Sequence, residues 1–282
     1  MREVPGRVVP VNGRYVYVEE SGQGQDRVVF EAGGGCGRTC WDPVLPLLTD
    51  KARLVAYDRA GRALSDGGTQ QRGVDDMAAD LVAMTEAVVP GEFVLVAHSM
   101  GGLVARRAAE RLGSRLRGLL LVDPLPETSP VYDTWDQTTK KIDRMLAMTQ
   151  TLSRIPPLAR LFSGNVRRLF SAGTYRAMLA EDFTPAGISQ IRKEMQAVAA
   201  AIPQFRARPP RLPQCPTIVL SAAHAAKGRE RQHAAIREHQ RRYAETLPDG
   251  RHEDVASGHF IQAEQPHLVA DRIHHLLPSL DS

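Results

Sequence analysis

The chain has 282 residues, of which 43% are hydrophobic and 24% charged, with a formal net charge of +4. That length fits one large α/β domain or two small ones and allows a substantial buried core. No run approaches the roughly 18–20 apolar residues of a membrane span; a modest charge without a nucleic-acid motif implies no nucleic-acid partner; and Cys36, Cys40 and Cys215 form neither a disulfide framework nor a zinc spacing.

Met1–Gly6 lacks the apolar stretch of a signal peptide, which makes a cytoplasmic location the expectation. Arg7–Val11 and Arg14–Glu20, joined at Asn12-Gly13, predict a hairpin. Arg27–Ala32 predicts a buried strand ending in the glycine-rich Gly33-Gly34-Gly35, and Trp41–Leu48 has helical character. Arg53–Tyr57 predicts the next strand, followed by a loop from Asp58 to Asp66, in which Asp58 reads as a loop-ordering acid paired with Arg59 or a backbone amide. Val74–Val89 carries Met77, Leu81, Met84 and Val88 at helical spacing.

Phe93–Ala97 is an apolar run of strand length, and Leu103–Leu112 predicts a helix. Between them Ala97-His98-Ser99-Met100-Gly101 is a small-x-Ser-x-Gly turn, the form that exposes a serine hydroxyl at a sharp strand-to-helix bend. The small flanking residues let strand and helix approach closely. The Met100 amide, at a helix N-terminus, faces where an oxyanion forms. His98 is adjacent to Ser99, and its ring is expected to point away from the hydroxyl, either into packing or to support a catalytic residue.

Leu116–Val122 predicts a strand ending at Asp123-Pro124. Residues 128–210 then show helical patterns only, at Thr138–Ser153, Val166–Ser171, Thr174–Leu179 and Gly187–Ile202, with Pro203 expected to end the last. Between Pro130 and Arg211 there are 13 Lys or Arg and 6 Asp or Glu, a balance of 13 − 6 = +7, which solvated helix faces or attraction of an anionic substrate would each explain. Met145, Met148, Leu152, Leu161, Phe162, Phe170, Met178 and Phe183 either pack these helices or line an apolar pocket. Thr217–Ser221 (strand), Arg229–Leu247 (polar helix), Arg251–Ala256 (strand) and Gln265–Leu277 (helix) close the chain. Alternating strands and helices imply an α/β fold with a mostly parallel, doubly wound sheet. Core portions at residues 1–127 and 211–282 flank a helical cap at 128–210, laid over the carboxyl ends of the strands where ligands bind in such folds.

Four stretches together resemble the α/β-hydrolase superfamily, in its capped, serine-nucleophile, esterase- or lactonase-like branch, over nearly the full length. They are Ala32-Gly33-Gly34-Gly35 with Trp41, the loop Tyr57–Asp66, the turn around Ser99, and Ser257-Gly258-His259-Phe260 with Glu264-Gln265-Pro266. The resemblance implies Ser99 as nucleophile, His259 as base and the amides of Gly34 and Met100 as oxyanion donors, glycine at 34 permitting unusual φ and close approach. It implies no cofactor and no metal. The acid departs from the commoner pattern, because the loop after Thr217–Ser221 holds no carboxylate before Glu230. Asp123, at the end of the preceding strand, is the favoured acid and Glu230 the alternative. His224 is expected on the surface.

The implied activity is hydrolysis of an ester, thioester or lactone of a small molecule through an acyl-enzyme. Amide or C–C cleavage would use the same residues. A non-hydrolytic enzyme on this scaffold, a lyase or cofactor-free acid–base catalyst, and a small-molecule-binding protein are the alternatives.

Overall fold

The computed structural model describes residues 6–67, 72–152 and 163–277. The chain begins with the hairpin β1 (Gly6–Val11) and β2 (Arg14–Ser21), turned through Asn12 at φ +48° and Gly13 at φ +76°. A two-residue turn with both central residues at positive φ matches the twist of the strands it joins. Then follow β3 (Asp26–Glu31), β4 (Ala52–Tyr57), α1 (Val74–Val88), β5 (Phe93–His98), α2 (Gly101–Leu112) and β6 (Leu116–Val122).

Between β3 and β4 the chain forms two short 3₁₀ turns, Arg38–Trp41 and Leu45–Leu47, rather than the helix its apolar spacing suggested. Pro43 and Pro46 explain the difference, since each removes an amide donor and restricts the residue before it.

After β6, the described residues form a 3₁₀ turn (Pro130–Thr134) and the helices α3 (Trp135–Leu152), α4 (Gly164–Leu169), α5 (Ala172–Glu181) and α6 (Pro185–Ala207). Pro203 lies inside α6 and does not end it: Phe205, 1% exposed, anchors the helix beyond the proline. The fold closes with β7 (Thr217–Ala222), α7 (Glu230–Thr246), β8 (Gly250–Val255), α8 (Ile261–Glu264) and α9 (Pro266–Leu276). None of the described helices is long and apolar enough to cross a membrane.

One eight-stranded sheet runs in the order β1-β2-β4-β3-β5-β6-β7-β8. The pairs β1–β2 and β2–β4 are antiparallel and the rest parallel. Alternate residues along each strand face opposite sides. Val29, Leu95, Leu119, Leu121 and Val219 therefore meet α1 and α2, while Phe30, Val96, Leu120, Val122 and Leu220 meet Trp41 and α9. Both faces are covered, which is why β5 and β7 are buried at every position. Strand order reverses beside β3 and β5, placing a crevice at their carboxyl ends.

Candidate active site

Ser99 follows β5 at that crevice with φ +52°, a left-handed conformation that costs a non-glycine residue on the order of 1–3 kcal/mol. The surroundings hold it there. Its amide donates to the Val122 carbonyl (2.9 Å), and its carbonyl accepts from Gly102 (3.0 Å) as α2 begins. A side chain on Gly101 would stand 2.5 Å from the Ala32 carbonyl, so this position tolerates only glycine if α2 is to enter so close to β3.

His259 arrives from the loop after β8, where Glu264 accepts the Gly258 amide at 3.0 Å. Its Nε2 lies 3.0 Å from Ser99 Oγ and its Nδ1 2.6 Å from Asp123 Oδ2. Asp123 also has positive φ, +44°, and sits at the end of β6, adjacent to β5. The carboxylate's other oxygen accepts from the Ala222 amide (3.1 Å) and from Gln240 Nε2 (2.9 Å), and Gln240 also donates to the Pro124 carbonyl at 2.6 Å. Burial raises the Asp123 pKa, but the His259 contact and these two donors outweigh it and hold the carboxyl below its usual range. An ionised carboxylate only accepts, so Nδ1 carries a proton, and Nε2 is the nitrogen placed to accept from the Ser99 hydroxyl.

His98, 1% exposed, turns from the hydroxyl as expected and takes a definite task. Its Nε2 donates to the His259 backbone carbonyl at 2.9 Å, and the two rings lie 4.7 Å apart. Burial, reinforced by the charge His259 would carry, pushes its pKa down to about 3, so it stays neutral. Glu230 is exposed in the first turn of α7, bonded to the Gly228 amide (2.8 Å), and does not join His259. His224 is exposed.

Gly34 and Met100 border a cavity of about 200 Å³ together with Ser99, Gly35, Leu125, Tyr132, Trp135, Ile191, Glu194, Met195 and Val198. The positive φ of the glycine loop falls on Gly35 (+81°) rather than Gly34. The cavity wall comes from α3 and α6 with Leu125 and Tyr132, and among the described residues none of the apolar side chains named for either packing or pocket lining borders it. Met145 and Met148 are exposed, Phe170 and Met178 pack into the core below the sheet, and Leu161 and Phe162 lie outside the described residues. The charged residue on the cavity wall is Glu194, an anion.

Beneath the glycine loop lies a buried ionic network that the sequence reading missed. Asp58 accepts a backbone amide, that of Arg38 (2.8 Å), as one of the two expected arrangements had it, and its ion pair is with the Arg38 guanidinium (2.7 Å) rather than with Arg59. Arg59 instead bonds Glu31 (2.7 Å) and Glu194 (3.0 Å), with Arg62 3.4 Å from Glu194. Burial raises the Glu194 pKa, but Arg59 and Arg62 overcome it and keep the carboxyl ionised below its usual range.

Residues 28–272 match the profile of the alpha/beta hydrolase family. A non-heme chloroperoxidase from Streptomyces lividans is 32% identical over 132 residues, covering 46% of this chain and 48% of the relative. A 2-heptyl-3-hydroxy-4(1H)-quinolone dioxygenase from Mycobacteroides abscessus is 29% identical over 122 residues, 43% of this chain and 45% of the relative. The chain thus spans about half the length of these curated relatives. The structure of an enol-lactonase from Burkholderia xenovorans superposes with a TM-score of 0.67 at 17% identity, covering 96% of this chain and 99% of that one, a likeness of fold.

Proposed function

The chain belongs to the alpha/beta hydrolase family, and from that premise we propose that it is a serine hydrolase cleaving an ester, thioester or lactone of a small apolar to amphipathic molecule through an acyl-enzyme. One observation carries this reading: the continuous run Ser99–His259–Asp123, at 3.0 and 2.6 Å, opening on an apolar cavity. A serine hydroxyl needs such a base to become a nucleophile at neutral pH.

In the proposed cycle Ser99 Oγ attacks the carbonyl carbon while His259 Nε2 takes its proton. Asp123 steadies the imidazolium through Nδ1. Charge collects on the carbonyl oxygen and is met by the amides of Gly34 and Met100, the latter at the positive end of α2. His259 returns the proton to the leaving oxygen or sulfur. Water, deprotonated by His259, then frees the acid and restores Ser99.

The described residues within 128–210 act as a cap, with Trp135, Ile191, Met195 and Val198 as the acyl wall. A cavity of about 150 Å³ is known to hold benzene, so one of about 200 Å³ suits an uncharged acyl group of roughly six to eight carbons.

A second reading, cofactor-free acid–base catalysis, has one support in the partial similarity to a quinolone dioxygenase. There His259 would remove a proton from the bound substrate and Ser99 would only hydrogen-bond it. Purified protein assayed on esters and lactones of graded acyl size, with oxygen uptake followed on a 3-hydroxy-4-quinolone, separates the two. The hydrolase reading predicts saturable ester or lactone turnover that peaks near six to eight acyl carbons (from the cavity volume) and is absent in Ser99→Ala. Oxygen uptake without ester or lactone turnover contradicts it.

A further inference from the structure

The loop that carries Gly34 is gripped from two sides by charged groups outside the proton relay. Arg59, 5% exposed, donates to the Ala32 carbonyl at 2.5 Å and to the Gly33 carbonyl at 2.8 Å. On the other side Glu194, 1% exposed and carried by α6, accepts the Gly35 amide at 3.0 Å. The two clamps are joined, since Arg59 Nη2 also donates to Glu194 Oε1 at 3.0 Å.

A trans peptide unit is planar, with its C=O and N–H pointing in opposite directions, and no described peptide bond is cis. Binding the Gly33 carbonyl to Arg59 therefore turns the Gly34 N–H away from Arg59. Binding the Gly35 N–H to Glu194 likewise turns the Gly34 carbonyl away from that carboxylate. Both peptide planes flanking the Gly34 α-carbon are thus fixed. Three consecutive glycines would otherwise make this the least determined backbone near Ser99.

We propose that Arg59 and Glu194 are positioning residues that aim the Gly34 amide at the oxyanion, and that Glu194 makes this aim depend on α6 being seated over the core. The proposal rests on the serine-hydrolase reading. It differs from simple charge compensation, in which Glu194 only neutralises the buried Arg59 and Arg62. The two roles separate because one needs an acceptor at the right reach and the other needs a negative charge.

Glu194→Asp keeps the charge beside both arginines but withdraws the acceptor by one methylene. Glu194→Gln keeps one acceptor at the same reach for the Gly35 amide, and discards both the charge and the acceptor that faces Arg59. Loss of one oxyanion donor costs about 10²–10³ in kcat, and misplacement costs less. Positioning therefore predicts that kcat falls about 10–100-fold in Glu194→Asp with KM nearly unchanged and little loss of thermal stability. Glu194→Gln should melt lower yet retain at least about ten times the kcat of Glu194→Asp, both normalised to Ser99 titrated with a fluorophosphonate. Equal kcat per titrated serine in wild type and both variants, with stability lost in Glu194→Gln alone, overturns positioning and leaves charge compensation. Wild-type protein that hydrolyses no ester and is not labelled at Ser99 overturns the hydrolase reading, and this proposal with it.

Discussion

His259 Nδ1 and Asp123 Oδ2 lie 2.6 Å apart, although Asp123 ends β6 and His259 follows β8, two strands further along the sheet. The acid reaches the base because Asp123 has φ +44° and Gln240 with the Ala222 amide occupies its other oxygen. Asp123→Asn keeps that shape but favours the wrong imidazole tautomer, and a loss of about 10⁴ in kcat is expected. Glu230→Gln, on the exposed start of α7, should stay near wild type. Steady-state kinetics on the two variants check this, and the reverse pattern would contradict the assignment.

Gln240→Leu should show how much depends on the acid's other oxygen. Gln240 is fully buried and donates to both Asp123 and the Pro124 carbonyl. Leaving the Pro124 carbonyl without this donor costs about 1–3 kcal/mol, and Asp123 Oδ1 keeps only the Ala222 amide, so the melting temperature should fall along with kcat. A variant with unchanged melting and unchanged kcat would show that the Ala222 amide alone suffices.

Much of the site was legible in the sequence, for identifiable reasons. Ser99 and Asp123 each follow a strand whose apolar run marks its own end; the strand before His259, Gly250–Val255, has no such run, and His259 was legible from its Ser257-Gly258-His259-Phe260 loop instead. Gln240 was hidden because α7 is polar on almost every face, with Gln240 and Ala244 its buried residues. The Arg59–Glu194 and Arg59–Glu31 pairs join residues 135 and 28 apart, and ion pairs at such separations leave no periodic trace. The cavity wall did leave one, since Ile191, Met195 and Val198 follow helical spacing on α6, but the more conspicuous methionines of α3 drew attention away.

His98 holds the histidine loop through a single bond, its Nε2 donating to the His259 carbonyl at 2.9 Å. His98→Phe fills the ring's space without the donor. Stability should fall with the loss of this hydrogen bond, by about 0.5–1.5 kcal/mol, and kcat should drop as His259 loses its register with Ser99. Denaturant melts and kinetics check both. A folded variant with unaltered kcat would mean that the rings alone fix the loop.

Gly34→Ala should leave the fold intact, because the added carbon would meet Met100 Sδ at an ordinary 3.4 Å. Gly34→Val adds branches beside the proposed oxyanion position and should lower kcat more than it lowers the melting temperature. If Gly34→Val instead fails to fold while Gly34→Ala is fully active, the loop is structural and the donor assignment loses its support.

Asp182 supplies a pH signature. Burial pushes its pKa up to about 7, and Arg62, 3.9 Å away, does not offset this. In the unfolded chain it returns to about 4. Between these values the folded chain holds a proton the unfolded chain has released, so this contribution to stability is present at low pH and is lost as pH rises through about 7. Asp182→Asn should therefore gain on wild type as pH rises from about 5 to 7, by up to about 1.4 kcal/mol per unit, and then level off. Melts across that range check it, and a pH-independent difference would contradict it.

The most direct test of the central claim is to look for the acyl group itself. An activated ester mixed with the protein, acid-quenched within the first turnover and digested for mass spectrometry, should show one acyl adduct on the peptide containing Ser99. Ser99→Ala should carry none and should not turn over, whereas Asp123→Asn should acquire the adduct far more slowly. Wild-type turnover with no adduct on Ser99, or full turnover by Ser99→Ala, would contradict the account.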